Sequence, residues 1–180
     1  MYMATATTRP WTRAELQRLP DDGNRYEVLD GALLVTPLPA GVHLRVAVNM
    51  TSALQMYCRE HRIGFVVAPS AVPNGESELQ PDIAAVLDPT LPIDTPMADF
   101  PPPSLVVEVL SPSTRRRDLG IKRTAYLRWG IPEYWIVDTE QRQITVVRPD
   151  RDDERVTETL RWQPRPELPA LEIRLDELFR

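Results

Sequence analysis

At 180 residues the chain is long enough to bury a substantial core in one domain, and 42% hydrophobic with 26% charged residues is the composition of a globular protein. No apolar run approaches the roughly 20 residues that span a bilayer, and Met1–Thr8 lacks the basic flank and apolar centre of a signal peptide. A single cysteine, Cys58, excludes an intrachain disulfide and a cysteine-based zinc site, while a net charge of −5 counts against a protein that coats nucleic acid by neutralising phosphates. One cytoplasmic domain over residues 1–180, with no membrane association, is the simplest expectation.

In chain order, Thr12-Arg13-Ala14-Glu15 has the form of a capping box and predicts a short helix to about Leu19. Pro20-Asp21-Asp22-Gly23-Asn24 breaks it. Arg25–Leu29 and Ala32–Thr36 flank Asp30-Gly31, a hairpin signal that puts Glu27 on the first strand. From Val42 to His61 the apolar positions Val42, Val46, Met50, Ala53, Leu54 and Tyr57 follow helical spacing, and Gly64 ends the helix. Phe65–Ala68 reads as a strand and Asn74–Gln80 as a polar turn. Ile83–Leu87 and Leu105–Leu110 are apolar strands separated by the proline-rich loop Asp88–Pro103. Ser111–Thr114 caps a helix over Arg115–Trp129, which Gly130-Ile131-Pro132 stops. Glu133–Asp138 and Gln143–Arg148 form an antiparallel pair, Asp150–Arg155 a charged loop, Val156–Trp162 an edge strand and Leu175–Phe179 a last helical turn. The expected architecture is α/β (α+β): a central mixed β-sheet flanked by helices.

The chemistry starts at Glu108. It interrupts Leu105-Val106-Val107-Glu108-Val109-Leu110, a run apolar on both faces and therefore predicted to be buried on both. A carboxylate there requires a cation, a proton or a metal. Asp82 opens the preceding strand, and sequential strands usually lie side by side, so the two carboxylates are expected to share a metal-sized site. Two oxygen donors plus waters and a substrate phosphate suit Mg²⁺. Lys122 is the only lysine among 21 Lys and Arg residues. Its ammonium is a compact charge whose pKa can shift, which a guanidinium does not offer. Asp118, Lys122 and Tyr126 recur at i, i+4, i+8 and share a helical face. Each has a plainer reading: Glu108 on an exposed edge strand facing water, Asp82 as a turn cap, Asp118 and Lys122 as a surface ion pair. His43 and His61 lack metal-ligand spacing and read as local hydrogen-bonding residues. Ser113 and its neighbours are either a plain helix cap or phosphate contacts. The Arg115-Arg116-Arg117 run is either a solvated face or a phosphate contact.

Taken together, Arg25-Tyr26-Glu27-Val28-Leu29-Asp30-Gly31, Pro81-Asp82-Ile83, Val107-Glu108-Val109-Leu110-Ser111-Pro112-Ser113-Thr114, Asp118, Lys122, Tyr126 and Gly130-Ile131-Pro132-Glu133-Tyr134-Trp135-Ile136-Val137-Asp138 resemble the Uma-two family of restriction endonucleases, over roughly residues 25–148. His43 falls where that family often has a histidine. The resemblance implies the restriction-endonuclease-like PD-(D/E)xK fold and hydrolysis of DNA phosphodiesters. It implies Mg²⁺, with Mn²⁺ as a substitute, on Asp82, Glu108 and the Val109 carbonyl, assisted by Glu27. The usual lysine two residues after the Glu is Leu110 here, so Lys122 stands in for it, held by Asp118 and Tyr126.

Three other readings compete. A nuclease-like module that binds nucleic acid or protein without cutting would not need metal. A hydrolase could act on RNA or a nucleotide. A purely structural network of ion pairs would tolerate Glu108→Gln. A homodimer is expected only from the need to cut two strands.

Overall fold

The computed structural model describes residues 9–37 and 41–180, and the expectation for Met1–Thr8 lies outside the described residues. The capping box at Thr12 and Glu15 is formed and opens α1 (Arg13–Leu16), which stops short of Leu19. Then β1 (Arg25–Leu29) and β2 (Ala32–Thr36) make the expected hairpin. Asp30 and Gly31 turn it with φ of 51° and 83°, the left-handed pair that matches the twist of a tight hairpin. The long helix α2 (Gly41–Glu60) buries His43, Val46, Met50, Leu54, Tyr57 and Cys58. Val42, expected inside, is half exposed, and His43 takes the inward position beside it.

Residues 72–79 depart from expectation. Instead of a plain turn they form a hairpin of β4 (Val72–Asn74) and β5 (Ser77–Leu79), following β3 (Phe65–Val67). Then come β6 (Ile83–Val86) and β7 (Leu105–Val109). The next helix is in pieces: α3 (Arg115–Arg117), a π turn (Asp118–Lys122) and α4 (Arg123–Arg128). The chain continues through β8 (Tyr134–Asp138) and β9 (Gln143–Val147). A third strand, β10 (Glu154–Val156), pairs with β9 where a loop was expected. Finally, β11 (Thr159–Trp162) pairs with β12 (Leu171–Arg174), and α5 (Leu175–Leu178) follows.

The central sheet is mixed, in the order β10-β9-β8-β7-β6-β3, with β7 and β8 parallel. All five residues of β7 are buried, as its two-sided apolar pattern requires. On one face Leu105, Val107 and Val109 pack with Val46, Met50 and Leu54 of α2. On the other, Val106 and Leu110 pack with Tyr126 of α4 and Leu29 of β1. A second, antiparallel sheet in the order β2-β1-β5-β4 brings β1, and with it Glu27, to that latter side.

The approach of β3 to β6 depends on Gly64. Its φ is +146°, and a Cβ there would run into the Val86 carbonyl oxygen and stand 2.8 Å from Leu87 Cα. Backbone atoms cannot yield as a side-chain tip can. Gly64→Ala is therefore expected to cost more than ~1 kcal/mol in a urea unfolding experiment; an unchanged midpoint would show that β3 can shift freely.

Candidate active site

The β6/β7 register runs Ile83↔Val107, Ala84↔Val106, Ala85↔Leu105, and continuing it by one residue sets Asp82 opposite Glu108. The two carboxylates that the sequence singled out are thus neighbours across one strand pair. Asp82 Oδ2 accepts the Val109 N–H at 2.8 Å and His43 Nε2–H at 3.0 Å, and Oδ1 accepts Arg25 Nη1 at 2.8 Å. Burial alone would raise the Asp82 pKa. The hydrogen bond from His43 and the charge of Arg25 outweigh it and hold the carboxyl at about 2.

Glu108 is different. Its Oε1 accepts Lys122 Nζ at 2.8 Å and the Tyr126 hydroxyl at 3.0 Å. Burial dominates and, with the nearby charges of Asp118 and Asp82, pushes its pKa up to about 8 against the opposing pull of Lys122. Lys122 Nζ also lies 2.7 Å from Glu27 Oε1 and 3.8 Å from Asp118 Oδ1. These three carboxylates overcome burial and keep the ammonium charged, with its pKa above the ordinary lysine value. Glu27 is fixed from β5's exit as well, since its Oε1 accepts the Gln80 N–H at 2.7 Å. The π turn buries Asp118 and Lys122 and leaves Leu119 and Ile121 exposed, so the two polar residues face inward together.

Glu27, Glu108, Asp118 and Lys122 are each at most 1% exposed. They lie behind a cleft of about 630 Å³ whose lining includes Arg25, His43, Gln80, Asp82, Ser111 and Thr114. The cleft therefore meets the cluster through Asp82, His43 and Arg25, while Lys122 stays inside. Tyr126, expected to hold Lys122, bonds Glu108 instead, and Val109 meets the site through its N–H. Ser113 is exposed, and its hydroxyl bonds that of its neighbour Ser111. His61 packs edge-on against Tyr57. Within the arginine run, Arg115 pairs with Asp138 and Arg117 bonds Val35 and Thr36.

The sequence assigns Arg25 no role, although the signal is there. Two residues apart on a strand, Arg25 and Glu27 point to the same face.

Four carboxyl groups (Glu27, Asp82, Glu108, Asp118) surround two permanent cations (Arg25, Lys122). Among the described residues, Glu27 Oε2 and Asp118 Oδ1 are buried with no hydrogen-bond donor. This excess of hard oxygen donors fits a divalent cation such as Mg²⁺ held by one or two carboxylates and completed by waters. It does not make a closed cage: among the described residues, no three His, Cys, Asp or Glu side chains are grouped to hold an ion. No helix among them is long and apolar enough to cross a membrane.

A mixed sheet with a carboxylate pair on adjacent central strands, backed by a buried lysine, defines an α/β protein of the restriction-endonuclease-like class. A crystal structure described as a "putative nuclease belonging to DUF820" from Anabaena variabilis ATCC 29413 has a TM-score of 0.77, covering 94% of this chain and 98% of that one at 20% identity. That likeness carries the fold. The model of the Uma2 family, described as "Putative restriction endonuclease", matches residues 13–176, and the chain belongs to that family. None of the curated proteins compared with the chain matches it.

Proposed function

We propose that the chain is a Mg²⁺-dependent endonuclease that hydrolyses phosphodiester bonds in DNA, with Mn²⁺ able to replace Mg²⁺. The observation that carries this reading is the position of Asp82, one residue before β6 and opposite Glu108 when the β6/β7 register is continued, with Lys122 2.8 Å from Glu108 and a cleft opening on Asp82. Asp82 and Glu108, with the Val109 carbonyl, would hold the ion. When bound, Mg²⁺ supplies a water of lowered pKa and offsets charge on the phosphate.

The protein's own residues do the rest. The Val109 N–H and His43 fix the orientation of Asp82 and favour its ionised form. Lys122 and Tyr126 hold Glu108 Oε1 and so aim its other oxygen. Glu27 and Asp118 hold Lys122 in turn. A twofold homodimer would present two such sites to two strands.

A second reading, a nuclease-like module that binds nucleic acid or protein without cutting, is favoured by one observation. Asp82 already accepts three protein donors, and Glu108 two. Calorimetric titration of Mg²⁺ and Mn²⁺ into wild type and Glu108→Gln separates the two. Binding to the wild type that disappears in the variant, followed by metal-dependent nicking of plasmid DNA, is the expected result. Failure of both proteins to bind metal, with and without DNA, would overturn the nuclease reading in favour of the binding module.

A further inference from the structure

Lys122 is the cation that the family resemblance assigns to the reaction, yet it cannot meet a phosphate lying in the cleft. It is 1% exposed, and Glu27, Glu108 and Asp118 enclose its ammonium. Among the described residues lining the cleft, Arg25 is the only Arg or Lys. Its side chain is 20% exposed, and it touches both the solvent space and Asp82.

Three features set Arg25 apart from the other donors on Asp82. The Val109 N–H belongs to a central strand and cannot leave. His43 stands in the first turn of α2 on a shorter side chain. Arg25 stands at the first residue of β1 on a long side chain, bonded through Nη1, while its Nε is buried with no acceptor among the described residues. A guanidinium has donors in a planar fork suited to phosphate, and this one is using few of them. Its position also explains its charge environment. Despite burial, the carboxylates of Glu108, Asp82 and Glu27 hold it firmly protonated. These are the groups assigned above to metal binding or to its support, so Arg25 supplies positive charge where a divalent ion would.

We propose that Arg25 is the phosphate-binding residue of the cleft and works by exchange: its guanidinium neutralises Asp82 in the metal-free protein and passes to the substrate phosphate when a divalent cation takes that carboxylate. The inference rests on the metal-dependent reading above. It reconciles the three protein donors on Asp82 with a role for that carboxylate in holding metal. It also ties ion binding to substrate binding, because the group released by the first is the group needed for the second.

Exchange predicts effects of opposite sign, which a merely structural arginine would not give. Mg²⁺ is titrated calorimetrically into wild type, Arg25→Gln and Arg25→Lys. A short fluorescein-labelled DNA duplex is then titrated with each protein in Ca²⁺. Arg25→Gln is expected to bind Mg²⁺ about tenfold more tightly, because the competing cation is gone, and to bind the duplex about tenfold more weakly, because a charged hydrogen-bond donor is lost. Arg25→Lys, which keeps the charge but not the fork, should fall between on both axes, and it carries the test if Arg25→Gln fails to fold. Mg²⁺ binding to wild type that is equal or weaker in the folded variants would overturn the exchange and leave the metal site standing. Absence of Mg²⁺ binding in every protein would overturn the metal site and the exchange with it.

Discussion

Replacing Lys122 with Met should lower the stability of the protein by about 3–5 kcal/mol, the usual loss when one partner is removed from a buried ion pair. The ammonium stands 2.7 Å from Glu27, 2.8 Å from Glu108 and 3.8 Å from Asp118, and water does not reach any of them. Methionine fills nearly the same volume, so the loss is electrostatic rather than a cavity. Without the ammonium, the negative charge shared among three carboxyl groups in a dry interior loses its counter-ion and is relieved only by further proton uptake. Two consequences follow. The deficit should shrink at acid pH, where the carboxyls are neutral. It should also shrink in Lys122→Met/Glu27→Gln, because the second change removes one of the uncompensated charges, giving a favourable coupling in a double-mutant cycle. Urea unfolding at neutral and acid pH measures both. A neutral-pH loss below ~1 kcal/mol would mean that the cluster is hydrated and that Lys122 is an ordinary surface partner.

The second large effect is a stability that declines with rising pH in metal-free protein. Glu108 has its pKa pushed up to about 8, chiefly by burial, from an ordinary value of 4.5. Between those values the folded state holds a proton that the unfolded chain has released. Folding therefore takes up a proton, and stability falls as pH rises through this window, levelling off above it. Asp82 acts in the opposite sense at the acid end. Its carboxyl is held down to about 2, so its contribution is complete above the ordinary Asp range and is lost as pH falls toward that value. Metal-free protein should consequently be most stable on the mildly acid side. Glu108→Gln, whose amide oxygen can still accept from Lys122 and Tyr126, should flatten the decline between pH 5 and 8. Melting temperatures of both proteins across that range, in chelator, provide the measurement. A wild-type curve that rises toward pH 8 would show that Glu108 is ionised throughout the range.

Gly64, Lys122 and the Asp82–Glu108 pair mark different depths of what a sequence can convey. Periodicity and turn chemistry are local properties, and they place the β1/β2 hairpin, α2, β6, β7, β8 and β9 within a residue or two. A carboxylate inside a strand apolar on both faces is also a local signal. The need of Glu108 for a partner is therefore written in its immediate neighbours, which point to Asp82 on the preceding strand, whereas the direct bond from Lys122 to Glu108 is seen only in the folded chain. The short polar strands β4, β5, β10 and β12 are not legible in this way. They contain three or four residues each and owe their existence to backbone pairing with a neighbour, which composition does not encode.

The same distinction holds at the site. Which residues carry charge among apolar neighbours was set by the sequence alone. Tertiary structure decided which of them meet: Arg25 with Asp82 across 57 positions, His43 with Asp82 across 39, and Glu27 of β1 with Lys122 of the π turn. It also decided which residues reach the cleft. Lys122 is sealed inside by a π turn and Arg25 is left at the opening, because strand order and helix winding are fixed by packing over the whole chain rather than by any short stretch of it.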